Sequence, residues 1–495
     1  MEVEPLVPNR FGRLFPDLLP FRPKDEALKE LGLLMRDETV HLNSNIPAGY
    51  TYLGQFIDHD ITKDSLGDTD PAILLPLELS ALIQQRTPSL DLDSLYGSGD
   101  TLNLVAWDPS DPAKFLLGQT EPSLVGRPFF NDLPRSGVEP TPAKALIGDP
   151  RNDENLAVAQ THLAFLKFHN AVVDVLRRDF NLADNPAEVR QQARELVEKH
   201  YQSIVLHDFL KQFVDDTVYK EVIEDGKVEF FNIIKGEMPF MPIEFSGAVY
   251  RWHTLIRENY NWNQFFNGLP DSGALADGTL RLLFQFTGRS NKDEFVGRQQ
   301  DDLSRLTSEW VIDWTRFFDF ANHSIPQGPG FNMTKPIDTL LTQGLGEPMN
   351  LATKNLIRGS RLGLPSAQDV ARHMGIAVLS PVEMLQGNAE QSKVLEKHEF
   401  HLKTPLWYYI NREAEFAGTG KFGKLASVII CEVFLGLAKS SRVSIFQESN
   451  WKPTKELFAD PQRGENASFY TMTDLLMFVR ANTSQAGVDE LNPVG

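Results

Sequence analysis

The sequence predicts a mainly α-helical protein, folded as one large domain with few short strands. Three observations carry that expectation. Long segments place apolar residues at helical spacing and open on capping residues or proline. Strand signals are few, and neither an internal repeat nor a low-complexity linker divides the 495 residues. A hydrophobic fraction of 41% with 33 Phe furnishes a core large enough for a single body.

Residues 1–22, rich in Pro, Arg and Phe, read as an irregular arm lying on the surface. Helical patterning starts at Lys24–Met35. A second helix carries Gly54-Gln55-Phe56-Ile57-Asp58-His59-Asp60-Ile61-Thr62. Residues 98–150 are rich in loops and end in Gly148-Asp149-Pro150-Arg151-Asn152-Asp153-Glu154. Pro150 stops any preceding helix there, and Asn152 or Asp153 can cap the next. From Glu154 to Arg178, Leu156, Ala159, Leu163, Leu166 and Asn170 form one stripe of a core helix. Pro186–Val214 reads as a third long helix, whose His200 and His207 are ordinary interhelical contacts. Residues 215–235 suggest a short hairpin, and 301–320 carry helical signals. Further helices are expected at Leu351–Arg361, after Ser366-Ala367-Gln368-Asp369, after Ser380-Pro381, at 405–417, 421–440 and Met472–Arg480. A loose tail follows at 481–495.

The net charge, 48 − 67 = −19, and the absence of a basic stripe argue against nucleic acid or anionic membranes as partners. The single cysteine, Cys431, lies in an apolar run. It excludes an intrachain disulfide framework and a paired-cysteine metal motif. No apolar run is long enough to span a bilayer, and the first residues lack the pattern of a signal peptide, so a cytoplasmic setting is the expectation.

On the second helix, Gln55 and His59 are four residues apart and share a face, which Asp58 borders. Asp60 is rotated about 100° from His59. The segment can thus direct an imidazole, an amide and one carboxylate into a cavity, and a second carboxylate away from it. A charged helix end with a surface histidine is the favoured reading of these residues when they are taken alone. Further on, Thr87, Asp91 and Asp93 interleave oxygen-bearing side chains with apolar ones, as a loop does when it ligates a hard cation such as Ca²⁺. A solvated turn is the ordinary reading of that loop.

Four segments together, in order and spacing, resemble the animal-type haem peroxidases of the peroxidase–cyclooxygenase superfamily, in particular their bacterial branch. The resemblance runs from about residue 10 to 480. The segment around His59 is similar to the distal helix of that family, which implies His59 as distal histidine and Gln55 as its neighbouring amide. Gly148-Asp149-Pro150-Arg151-Asn152-Asp153-Glu154 is similar to the arginine segment, which implies Arg151 as distal arginine. A neutral imidazole can carry the proton that peroxide must move between its oxygens, and a fixed cation can stabilise the developing charge. Tyr250-Arg251-Trp252-His253 resembles the proximal segment, implying His253 as the axial ligand of haem b. Leu351–Pro365 resembles the segment whose asparagine, here Asn355, accepts a hydrogen bond from that histidine. Arg251 and Arg358 are the implied partners of the haem propionates. Asp60, Thr87, Asp91 and Asp93, with the Ser89 carbonyl, match the family's calcium site, where Asp93 replaces a frequent serine. Asp58 and Glu154 match the carboxylates that form haem esters in vertebrate members. Asn155 stands where relatives with a sulfonium link carry methionine, which excludes that link.

The activity implied is a haem peroxidase that reduces hydrogen peroxide and oxidises small organic donors or halides. The short spacing from Tyr250 to His253 is similar to that of cyclooxygenases and fatty-acid dioxygenases. That likeness supports an alternative, a dioxygenase using a Tyr250 radical; a packed Tyr250 whose hydroxyl meets a backbone group is the ordinary reading. A calcium-dependent structural protein without turnover is a third reading, opposed by the complete His59, Arg151, His253 and Asn355 set. A non-haem metal site on Asp58-His59-Asp60 fails because adjacent helical residues diverge.

Overall fold

The computed structural model of the chain describes residues 10–37, 43–65, 79–122, 124–136, 144–180, 185–233, 239–284, 287, 306–345, 350–483, 485 and 487–495. Helices dominate, and the described strands form three two-stranded pairs. Phe11–Gly12 runs parallel to Met241–Pro242; Trp107–Asp108 pairs antiparallel with Asp111–Phe115, and Asn259–Tyr260 with Gly278–Thr279. No helix among the described residues is long and apolar enough to cross a membrane.

The axis of the fold is the 24-residue helix Leu156–Asp179, and the second helix, Gly49–Ile61, packs directly on it. These are called α2 (Gly49–Ile61) and α3 (Leu156–Asp179) below, after α1 (Asp25–Leu33). Phe56 of α2 stacks on Phe165 of α3, with centroids 4.7 Å apart. In α3, 19 residues are buried, so the expected single stripe is too narrow; the helix is enclosed on nearly all sides. Asn155 caps it by accepting from Val158 N, and Arg177 and Arg178 oppose the dipole at its far end. The cap expected at Asn152 or Asp153 is therefore displaced. Asn152 turns inward to histidines, and Asp153 receives Arg135.

Other elements depart from the sequence expectation for local reasons. The helix starting at Pro186 is α-helical only to Ser203; Ile204–Phe209 widens into a π turn before Leu210–Phe213. The hairpin expected at 215–235 is absent among the described residues there. Asp215 caps Asp216–Tyr219, a π turn Lys220–Glu224 follows, and Gly226 at φ 73° ends it. The helical signals of 301–320 become the 3₁₀ turns Ser308–Trp310 and Trp314–Arg316, while 301–305 lie outside the described residues. The arm is not merely superficial, since Phe11, Leu14 and Phe15 are buried and Glu244 accepts from the Leu14 and Phe15 amides. The tail is anchored: Lys167 pairs with Glu490 at 2.6 Å, both buried, and Trp314 N donates to Leu491 O. His200 donates to Leu196 O in its own helix and accepts from Thr454 N, and its ring packs against Phe168 of α3, the interhelical contact expected of it. Leu351–Arg361 (α4), Leu406–Ala417 (α5) and Lys424–Ser440 (α6) form where the capping and apolar patterns place them.

Candidate active site

Eleven of the thirteen residues of α2 are buried; the two that are not are Gln55 and Asp58. The partly exposed residues nearby are Arg151, Glu154, Arg251, Trp252 and His253. These side chains thus break the otherwise buried run of their segments. An imidazole, two carboxylates and arginines have the chemistry to receive a haem group: a ligand nitrogen, groups for its edge, and cations for its propionates.

The distal side is tied together by many bonds. His59 is 5% exposed, and its Nδ1 donates to Asn152 Oδ1 at 2.8 Å. Burial, reinforced by the Arg151 cation, pushes its pKa down to about 3, so the imidazole is neutral. Asn155 Nδ2 donates to Gln55 Oε1 at 2.9 Å. Arg151 grips both oxygens of Asp149 through Nε and Nη2. The same Nη2 donates to His59 O at 3.0 Å and Thr62 O at 2.8 Å, at the C-terminal end of α2. Burial opposes the Arg151 charge, but Asp149 outweighs it and holds the guanidinium protonated. Asp58 and Glu154 act on the same guanidinium, so the structure gathers Gln55, Asp58, His59, Arg151 and Glu154 into one neighbourhood.

Next to this group lies a candidate cation site. Carboxylate oxygens of Asp60, Asp91 and Asp93 lie within 4.8 Å of one another. The Leu92 and Ser94 amides donate to Asp60, an arrangement that holds Leu92 in the left-handed region at φ 55°. Asp93 Oδ2 accepts from Thr87 N, Thr87 Oγ1 and Ser98 Oγ. Asp91 Oδ1 and Asp93 Oδ1 are buried without a hydrogen-bond partner. Ser89 Oγ donates to Ser441, which leaves its carbonyl as the oxygen available to an ion. Burial raises all three carboxyls, Asp60 to about 8, and mutual repulsion adds to the effect at Asp60 and Asp91. Oxygen donors with uncompensated charge fit a hard divalent cation such as Ca²⁺.

Arg86 and Asp149 connect the two regions, and the sequence reading missed both. Arg86, 1% exposed, lies 3.6 Å from Asp93 Oδ1 and donates to Asp149 Oδ2 from Nε at 2.8 Å and from Nη2 at 2.5 Å. Burial raises the Asp149 carboxyl, but Arg151 and Arg86 outweigh it and hold the group well below the usual range. Arg86 thus joins the acidic cluster to Asp149, and the partly exposed Lys63 lies within range of the same charges. Gly148 permits the approach, because a Cβ there would meet Ser94 O at 2.6 Å. The charge at Asp93 that departs from the serine of many relatives thus has its counter-cation in Arg86. His162 and Asn152 were also missed as site residues. Each looked like helix furniture, and only the packing of α3 on α2 joins them to His59.

The proximal side is less regular. A π turn, Phe245–Val249, leads into non-helical Tyr250–Trp252 and a 3₁₀ turn, His253–Leu255. Asn355 meets His253 Nδ1 at 3.0 Å, as the sequence suggested, but with its Nδ2 donating, while Oδ1 faces Arg251 Nη1 at 3.5 Å. The expected acceptor role is thus reversed here, because the carbonyl is turned to the cation. Arg251 Nε donates to Ser246 O. Arg358 is buried against Asp64 within the chain, so the acid it meets here is a side chain. Tyr250 is 5% exposed, donates to Gly54 O at 3.2 Å and is walled by Phe245, Trp252 and Phe434. Its phenol is held protonated by burial.

The sequence model of the animal haem peroxidase family matches residues 72–486. Lactoperoxidase of Mesocricetus auratus is 28% identical over 148 residues, which is 28% of this chain and 20% of that protein. Human (Homo sapiens) lactoperoxidase is 27% identical over 194 residues, 36% of this chain and 26% of that protein. The matched stretches therefore span about a fifth to a quarter of the lactoperoxidases' own length. Among solved structures, peroxidase A from Dictyostelium discoideum superposes with a TM-score of 0.61 at 15% identity, covering 98% of this chain and 95% of that one. The fatty acid alpha-dioxygenase of Oryza sativa gives 0.60 at 13%, covering 96% and 79%; that of Arabidopsis thaliana gives 0.60 at 16%, covering 96% and 76%. These likenesses establish the fold, helical and single-domain. With the family match spanning most of its length, the chain belongs to the animal haem peroxidases, a family of oxidoreductases that use haem.

Proposed function

We propose that this chain is a haem-dependent peroxidase that takes hydrogen peroxide as oxidant and a small organic molecule or halide as donor. The observation that supports it best is the distal arrangement: a buried neutral His59 beside an Arg151 anchored by Asp149 and by carbonyls of α2. In this reading His253 holds the iron of haem b through Nε2, Asn355 orients its ring, and Arg251 with Arg358 serve the propionates. When bound, haem supplies the electron transfer between peroxide and donor. His59 would take a proton from one oxygen of the peroxide and deliver it to the departing oxygen, which leaves as water. Arg151 needs no proton of its own and stabilises charge on the oxygen pair, while Gln55 offers its amide in the same neighbourhood. Ca²⁺ bound by Asp60, Thr87, Ser89, Asp91 and Asp93 holds the end of α2 to the 87–97 loop. Asp58 and Glu154 stand as candidates for ester bonds to the haem edge; mass spectrometry of acid-extracted haem decides this, since unmodified protoporphyrin alone removes the idea.

The second reading, a fatty-acid dioxygenase using a Tyr250 radical, draws support from the alpha-dioxygenase likeness and the Tyr250–His253 spacing. Against it, Tyr250 spends its hydroxyl on Gly54 O inside an aromatic wall. Oxygen uptake with linoleate and guaiacol oxidation, each measured in wild type and Tyr250→Phe, separate the two. The peroxidase reading expects guaiacol turnover in both proteins. Linoleate-dependent oxygen uptake that vanishes in Tyr250→Phe, with no guaiacol turnover in wild type, overturns it.

A further inference from the structure

Asn152 lies between two buried histidines. Its Oδ1 accepts from His59 Nδ1 at 2.8 Å, and its Nδ2 donates to His162 Nδ1 at 2.9 Å. Asn152 and His162 are fully buried, and His59 nearly so. A carboxamide oxygen only accepts and its nitrogen only donates. The imidazole nitrogen facing Oδ1 therefore carries a proton, and the one facing Nδ2 does not. With both rings neutral, the amide locks their tautomers together: His59 is Nδ1–H with a lone pair on Nε2, and His162 is Nε2–H.

A half-turn of the amide would invert both rings. The surroundings of His162 discriminate between the two states. Its Nε2 is buried with no hydrogen-bond partner, and its ring forms a T-shaped pair with Phe56, with centroids 5.7 Å apart and planes at 76°. An N–H against an aromatic neighbour is tolerated and weakly favourable, whereas a lone pair buried there gains nothing. His162 thereby selects the amide orientation, and the amide selects the tautomer of His59. A free imidazole prefers its proton on the nitrogen remote from the backbone, so a His59 without this bridge would carry its proton on Nε2, where a base needs a lone pair.

We propose that Asn152 is a positioning residue that, by bridging His59 to His162, holds His59 as the Nδ1–H tautomer and keeps Nε2 free to take a proton. The proposal rests on the reading of His59 as the acid/base group of a haem peroxidase. It is tested by ¹⁵N NMR of histidine-labelled protein as isolated, with any haem converted to its diamagnetic ferrous carbon monoxide form, and with His59 assigned through His59→Gln. Wild type should show His59 protonated on Nδ1 only. Asn152→Ala should shift the proton to Nε2, while Asn152→Asp, whose carboxylate also accepts, should keep Nδ1 protonated. In haem-loaded protein Asn152→Ala should react with peroxide roughly 10–100-fold more slowly at an unchanged Soret band. A wild-type His59 protonated on Nε2, or an Asn152→Ala protein with the wild-type tautomer, overturns the proposal. Should Asn152→Ala fail to fold, loss of the Nδ1 proton in Asn152→Asp overturns it equally. Absence of a Soret band in wild type would instead defeat the haem reading, and the tautomer result would stand apart from it.

Discussion

The segment around His59 and the segment around His253 are built differently. On the distal side, His59 and Asn152 lie against the long helices α2 and α3, and Arg151 makes five hydrogen bonds to Asp149, His59 O and Thr62 O. On the proximal side, His253 begins a three-residue 3₁₀ turn after non-helical residues, and Asn355 meets its ring. The difference teaches which geometry the chain sets by itself. His59 and Arg151 are held by bonds from the protein alone, among fixed dipoles and charges. The imidazole of His253 meets one side-chain amide, Asn355, whose oxygen faces Arg251.

The largest break in this comparison is His59→Ala. Haem should remain bound while the second-order reaction with peroxide, followed by stopped-flow absorbance, slows by about 10²–10⁴-fold. Arg151→Ala should slow the same step by about 10²–10³-fold, again with haem retained. An unchanged rate in either variant removes that residue from the chemistry.

Calcium sharpens the contrast through stability. A cation present at about 100 times its Kd adds ~2.7 kcal/mol to the folded state, and chelation should lower Tm accordingly. The pH dependence has a definite sign. Asp60 is raised to about 8, and Asp91 is also raised, so the cation-free folded state binds more protons than the unfolded chain as pH approaches 8. Stability is therefore lost as pH rises through that range. Buried histidines such as His59 and His162, pushed down to about 3, act in the opposite direction only below about pH 7. Thermal melts in chelator should thus fall from pH 7 to pH 8, and added calcium should flatten the slope. A slope indifferent to calcium would mean that no cation occupies the acidic cluster.

Tyr250→Phe should have the smallest effect. Loss of the bond to Gly54 O costs about 1 kcal/mol in a denaturant melt, without change in donor oxidation.

Much of this contrast was legible in the sequence, and unevenly so. The long helices announced themselves through apolar spacing and caps, and α4, α5 and α6 lie where those patterns place them. The segments that carry the candidate site residues stood out because each is a short contiguous run. Arg86, Asp149, Asn152 and His162 were not legible as site residues, because each acts through partners brought in by tertiary packing. The nearest hint was Asp149 two residues before Arg151, where a carboxylate can turn back onto the guanidinium. The hairpin expected at 215–235 failed for a different reason. Tyr219, Val222 and Ile223 are buried at helical spacing, and Gly226 is a terminator there, not a hairpin turn.

The most direct test is a haem titration of His253→Ala beside wild type, read at the Soret band. Wild type should bind one haem per chain with a band that changes on adding hydrogen peroxide, and His253→Ala should bind none stably. A His253→Ala protein with the wild-type band and affinity would contradict the assignment of His253 as the iron ligand, and with it the placement of the whole site.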